Sequence, residues 1–161
     1  MNIFYLHKNP EKAAKYQYNK HIVKMILESA QILCTVHHKY MGDDVDVPYK
    51  ATHRNHPSTL WAGQSAENYT WLYRHFIALC EEYEKRYSKE HLSYTKCKDK
   101  VNILPGGMLE TGLTDMPQCM PDEYKDDCSV QAYWNYYIHG KKDIANLKTE
   151  KLYEQRPKET Y

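Results

Sequence analysis

From Ala13 to His38 the chain reads AAKYQYNKHIVKMILESAQILCTVHH without a Gly or Pro, and its length of about seven turns at 3.6 residues per turn predicts one long helix. With about 100° between successive residues, Gln17, His21, Lys24, Glu28, Gln31 and Thr35 fall on one narrow line. Ile22, Val23, Met25, Ile26, Leu27, Ala30, Ile32, Leu33 and Cys34 cover most of the remaining girth. A helix so apolar is expected to be buried by its neighbours, which leaves the polar line facing water, a cleft or a buried network, because unpaired polar groups inside a protein are costly. His21 and Glu28 lie two turns apart with Lys24 between them, so a base, a cation and an acid project into the same groove. The alternative is an exposed i,i+4 pair of Lys24 with Glu28, worth a few tenths of a kcal/mol.

The flanking pattern supplies the other elements. Asn2 to Leu6, NIFYL, is too short for a helix and reads as a strand or an extended arm on the core. Asn9-Pro10-Glu11 has the residues of a helix start, and Gly42 fits the position after a helix end. A second long helix is expected from Pro57 or Ser58 to about His91, with Leu60, Trp61, Tyr69, Leu72, Tyr73, Phe76, Ile77, Cys80, Tyr83 and Tyr87 spaced mostly three and four apart and facing the first. Ser93 to Asp127 holds most of the glycines and prolines without periodicity and reads as a long loop, of a kind often functional. A shorter helix carrying Val130, Tyr133, Trp134, Tyr137 and Ile138 follows and ends at Gly140, and the tail from Lys141 is rich in charge. The expected fold is mainly α: one compact domain over residues 1–161, with two long packed helices, a shorter C-terminal helix and a long irregular loop.

Composition narrows the function. At 161 residues the chain is long enough to bury a core without staples. With 22 Lys and Arg against 21 Asp and Glu, a nucleic-acid partner has to be held by a local basic patch. Such a patch is visible: Lys50, His53, Arg54 and His56 follow Asp43, Asp44 and Asp46 and run into a helix start, where free N–H groups and the dipole favour an anion. An ordinary solvated loop is the alternative. Five Cys without C-x-x-C spacing, no basic-then-apolar leader and no apolar run of ~18 residues predict a reduced, cytoplasmic protein without a membrane partner. Sixteen Tyr against two Phe suit cores, interfaces and base stacking alike.

Several site chemistries fail on the residues. Paired E-x-x-H for a di-iron centre, H-E-x-x-H, glycine-rich phosphate loops and G-x-S-x-G are all absent, and the adjacent His37 and His38 diverge by about 100° on a helix. Neither a metal nor a cofactor is expected. What remains is the His21/Lys24/Glu28 line, the basic loop and many aromatic residues, which suit a protein that grips a phosphate backbone and works on a base or sugar.

The runs NKHIVKMILESAQILCTVHH, YKATHRNHPSTLW with the following NY-x-WL, CEEYEKRYSK, MPDEYK and YWNYYIHGK together resemble a family of small phage proteins labelled pyrimidine-dimer DNA glycosylases. That family is in turn distantly similar to the phage repair glycosylase and abasic lyase called endonuclease V. The resemblance implies a compact, mainly α protein that binds double-stranded DNA in the host cytoplasm and opens a damaged site. It also implies that His21 and, seven residues on, Glu28 are the catalytic pair, with Tyr133 to Lys141 matching the aromatic, Lys-containing C-terminal run. In the characterised enzyme the nucleophile is the α-amino group of a small residue exposed by removal of the initiator Met. Here Met1 precedes Asn2, too large for efficient removal, and Leu27 stands where that family has an Arg directly before the Glu. Phosphate contacts are then expected from Lys24, His53, Arg54 or His56, and Trp61, Trp134, Tyr136 or Tyr137 are candidates to stack on an extruded base. Two other readings fit the same groove: a non-catalytic nucleic-acid or protein-binding module, and an enzyme cleaving or transferring the glycosidic bond of a free nucleotide.

Overall fold

The computed structural model describes residues 2–144. The expected first helix is divided. Helix α1 spans Pro10–Lys15, capped by the Asn9 side chain on the Lys12 N–H, and α2 spans Asn19–Met41. No Gly or Pro causes the break at Tyr16–Tyr18; residues far along the chain stabilise it. Arg86 donates to the carbonyls of Lys15 and Gln17 and to Asn19 Oδ1, at 3.1, 2.8 and 3.0 Å, while the Tyr18 N–H finds the Tyr137 hydroxyl at 2.8 Å. These bonds satisfy groups that a continuous helix would satisfy internally. Gly42, with φ of +88°, ends α2 as the sequence suggests.

The second expected helix is also divided, into α3 (Pro57–Ala62) and α4 (Ala66–Tyr87), and a short helix α5 (Leu92–Cys97) follows it. At the first break Ser65 caps α4 by accepting the Asn68 N–H and donates to the Gly112 carbonyl, and the Ala66 N–H reaches the Leu109 carbonyl, so the glycine-rich loop fills the gap. Ser88, at φ of +55°, stops α4, and α5 lies inside what periodicity reads as loop. Helix α6 spans Ser129–Asn135 and continues as one wider π-type turn through Tyr136–Gly140.

Among the described residues there is no strand, and the fold is mainly α, with α2 and α4 the long packed pair and a short C-terminal helix beside them. Ile3 to Leu6 form an extended arm, fully buried, and the Trp134 indole N–H holds the Leu6 carbonyl at 2.9 Å. The arm thus runs beneath α6, and Phe4 from the arm and Tyr137 from the turn after α6 both meet His21 in the first turn of α2. Val23 and Leu27 are 41% and 37% exposed, so the bare face of α2 is wider than a polar line and carries an apolar rim beside Lys24 and Glu28.

Candidate functional site

The face of α2 that carries Lys24 and Glu28 starts at the buried His21. Its ring is 5% exposed, stacked on Phe4 at 4.3 Å with 15° between planes, and its Nδ1 stands 2.7 Å from the Tyr137 hydroxyl. Burial above all, then the charges of Lys141 and Lys24, hold its pKa down at about 4. It is therefore a neutral imidazole at neutral pH, and two cations flank it without pairing to it. Lys141 also lies over the Tyr136 ring at 5.0 Å, and that half-exposed ring has Tyr124 beside it at 5.4 Å and Gly140 against its edge. Lys24 is exposed to solvent. His21, Lys24, Tyr136, Tyr137 and Lys141, separated by up to 120 positions, thus meet at one end of the bundle.

Farther along the same face, Glu28 is half-buried, with Oε2 sealed from solvent. The basic loop meets α2 farther along, at Thr35. Thr35 fixes that loop to α2 twice, accepting the Thr52 N–H at 3.1 Å and approaching the Thr52 carbonyl at 3.2 Å. His53, at φ of +46°, then turns the chain, its carbonyl accepting the His56 N–H at 3.0 Å. His56 is delivered beside α2: burial lowers its pKa, the His53 charge adds to that, and the Glu28 carboxylate opposes it. Its Nδ1 accepts the Ser58 N–H at 3.2 Å as the N-cap of α3.

Lys50, His53 and Arg54 are exposed on this loop, with Arg54 bonded to Asp43. Arg54, Asn55, Lys39, Thr35 and Leu60 contribute to the wall of a cavity of about 180 Å³ that extends the groove toward the end of α2. The expected anion site at the start of a long helix is altered. That helix start belongs to the six-residue α3, and its Ser58 N–H already has the His56 ring.

Three expected stacking residues belong to the core. Trp61 is 4% exposed and donates to the Thr114 carbonyl at 3.1 Å; Trp134 and Tyr137 are fully buried, the latter stacked on Tyr18 at 4.2 Å. None has a ring face open to a base. Their amphipathic helical spacing already pointed inward, and their polar tips find backbone or side-chain partners there. Phe4, Tyr124 and Asp43 join the face without any signal in the pattern, since what places them is the arm, the loop and the turn after α2, whereas Lys39, four residues after Thr35 on α2, continues the polar line by spacing. Gln17 is off the line as well, buried at the break and bonded to His75 at 3.1 Å.

Met1 lies outside the described residues, as do Lys148, Lys151, Arg156 and Lys158 of the tail. Among the described residues no group of three or more His, Cys, Asp or Glu converges to hold a metal, and no helix is long and apolar enough to cross a membrane. His37 and His38 are taken up by the Tyr69 hydroxyl at 2.8 Å and the Tyr49 carbonyl at 3.0 Å.

The chain matches the family described as pyrimidine dimer DNA glycosylase over residues 1–95, more than half its length. The chain belongs to that family. The matched part of this pyrimidine dimer DNA glycosylase family member contains His21, Lys24, Glu28, the basic loop and α4; Tyr124, Tyr136 and Lys141 lie beyond it. No curated protein and no solved structure matches the chain.

Proposed function

We propose that this chain is a DNA N-glycosylase for a damaged or modified pyrimidine, with Glu28 as its catalytic carboxylate and duplex DNA as its substrate in a phage-infected cell. The observation that supports this most is the shared face of α2, where a sheltered carboxylate lies between a neutral histidine and a basic loop in a chain of this family. Breaking the bond between base and sugar builds positive charge on the sugar. A carboxylate held partly out of water stabilises that charge or activates the attacking water. His21, kept neutral, acts as a hydrogen-bonding partner of substrate rather than as a cation. Lys24, Lys50, His53, Arg54 and Lys141 supply phosphate contacts along the face, a local patch on a chain whose formal net charge is only +1. Extruding a nucleotide costs a few kcal/mol, and Tyr136, half-buried with Lys141 over its ring, is the aromatic residue we assign to stack on it.

Met1 before Asn2 sets the choice of nucleophile. With Met1 retained, the α-amine sits one residue farther out than in a processed chain, and ordering that further residue costs roughly 1–2 kcal/mol. Water is then the nucleophile, and strand cleavage is weak or absent. Duplexes with defined lesions, assayed for base release with and without alkali, test the reading, since alkali reveals abasic sites that no lyase has cut. A borohydride-trapped adduct at the Met1 α-amine would contradict the choice of water, and one at Lys24 or Lys20 would give a side-chain amine the role.

A further inference from the structure

The histidine near the far end of α2 has only one of its nitrogens satisfied. His38 is 8% exposed, and its Nε2 stands 3.0 Å from the Tyr49 carbonyl, which can only accept, so the neutral ring carries its proton on Nε2. That leaves Nδ1 as a buried lone pair without a hydrogen-bond partner, and Oδ1 of Asp43 faces it at 3.6 Å. Two acceptors confront each other there, at a cost for as long as the ring is neutral. The same carboxylate oxygen bonds the Arg54 guanidinium. Of the other charged and titratable groups around the ring, His37 on α2 is held by the Tyr69 hydroxyl, Lys39 lies over the Tyr40 ring at 5.4 Å, and Lys96 of α5 lies over the Tyr49 ring at 5.9 Å, while Asp44 follows Asp43 in the turn.

We propose that Asp43 is a proton-controlled gate on Arg54: uptake of a proton by His38 draws the carboxylate to Nδ1 and frees the guanidinium for a backbone phosphate of the duplex. The inference rests on the DNA reading above, but the exchange of partners by Asp43 is independent of any reaction. The proton adds a donor where the ring otherwise has a lone pair, and turns a contact between two acceptors into a charge-assisted hydrogen bond with a buried partner. The ion pair it competes with joins groups that are 48% and 76% exposed, and such a pair contributes little in water. Histidine is the side chain suited to a switch of this kind near physiological pH. Arg54 also lines the cavity of about 180 Å³ together with Lys39 and Asn55, so a phosphate that replaces Asp43 has a second cation beside it. Because linkage is reciprocal, a phosphate that takes Arg54 returns Asp43 to His38 and favours its protonated form.

Two variants separate the gate from the general rise in charge on the other histidines. Asp43→Asn removes the carboxylate that both partners share, at a position exposed enough for the fold to tolerate the change. His38→Gln keeps an amide N–H for the Tyr49 carbonyl but takes up no proton. Binding of an undamaged duplex is measured at fixed salt at pH ~6, ~7 and ~8, and the titration of His38 is followed by NMR on histidine-labelled protein without DNA. From the highest pH to the lowest, the wild-type affinity is expected to rise about two- to fivefold more than that of either variant, a range set by the worth of one exposed ion pair. Asp43→Asn is expected to bind more tightly than wild type at the highest pH, and to have His38 titrate at lower pH in the free protein. A wild-type pH dependence kept in full by His38→Gln, or a His38 titration unmoved by Asp43→Asn, would overturn the proposal. If the wild type binds no duplex at any of these pH values, the DNA reading fails, while the titration in the free protein still decides whether Asp43 answers to His38.

Discussion

The Tyr137 hydroxyl stands 2.7 Å from His21 Nδ1 and 2.8 Å from the Tyr18 N–H, so one buried phenol joins the C-terminal turn to the break that creates α2. It accepts from the backbone and is left with its own proton for the imidazole, so the neutral ring carries its proton on Nε2. Removing that hydroxyl leaves a buried N–H without its acceptor. Tyr137→Phe is therefore expected to cost about 1–3 kcal/mol in denaturant unfolding, with base release reduced as His21 loses its orientation.

Acid should destabilise the fold through two buried histidines. His21 and His75 both have folded pKa values near 4, in each case chiefly through burial, against ~6.5 in an unfolded chain. Below pH ~6.5 the unfolded state takes up protons that the folded state refuses, so stability is full above that pH and falls as the pH drops toward 4. Each histidine contributes at most about 1.4 kcal/mol per pH unit across that window. Urea unfolding at pH 7, 6 and 5 measures the slope, and His21→Gln should reduce it by about one proton's worth.

Arg54 should report on DNA through its salt dependence. Arg54→Ala is expected to weaken duplex binding and to lower the salt slope by about one unit. Because Asp43 is bonded to Arg54, Asp43→Asn should strengthen binding at fixed salt by releasing the guanidinium. Titrations of labelled duplex at several salt concentrations check both, and a slope unmoved by Arg54→Ala would remove that residue from the interface.

The aromatic residues should divide by burial. Tyr136→Ala is expected to leave melting almost unchanged and to lose about 1–3 kcal/mol of binding to a duplex with an extruded base. Trp61→Ala, in the core, should instead cost about 3–5 kcal/mol of stability. Melting and binding measured on both variants distinguish the roles.

The helical class and the polar line from His21 to Thr35 were legible because burial imposes a period, and a residue's place on a helix follows from its spacing alone. The division of the long helices was not read from the spacing. Gly63 and Ser65 stand at the break before α4, but the three-and-four spacing of apolar residues runs across them and reads as one helix, whereas the break at Tyr16–Tyr18 depends on Arg86 and Tyr137, which meet it only in the folded chain. The same holds for the site. His21 and Glu28 could be paired by spacing, but nothing local indicates that Phe4 stacks on His21, that the Lys141 charge acts on it, or that Thr35 holds Thr52 and the basic loop on α2. Trp61 and Trp134 were ambiguous for a related reason, since a large amphipathic ring serves a core and a binding surface equally well until its N–H partner is known.

In the proposed reaction Glu28 performs the chemistry on a pyrimidine in duplex DNA. The most direct measurement is single-turnover base release by Glu28→Gln from a duplex carrying one pyrimidine dimer, alongside its melting temperature and duplex affinity. Loss of ~10²-fold or more in rate with folding and binding retained is the expected result. A Glu28→Gln protein that releases base at the wild-type rate would contradict it.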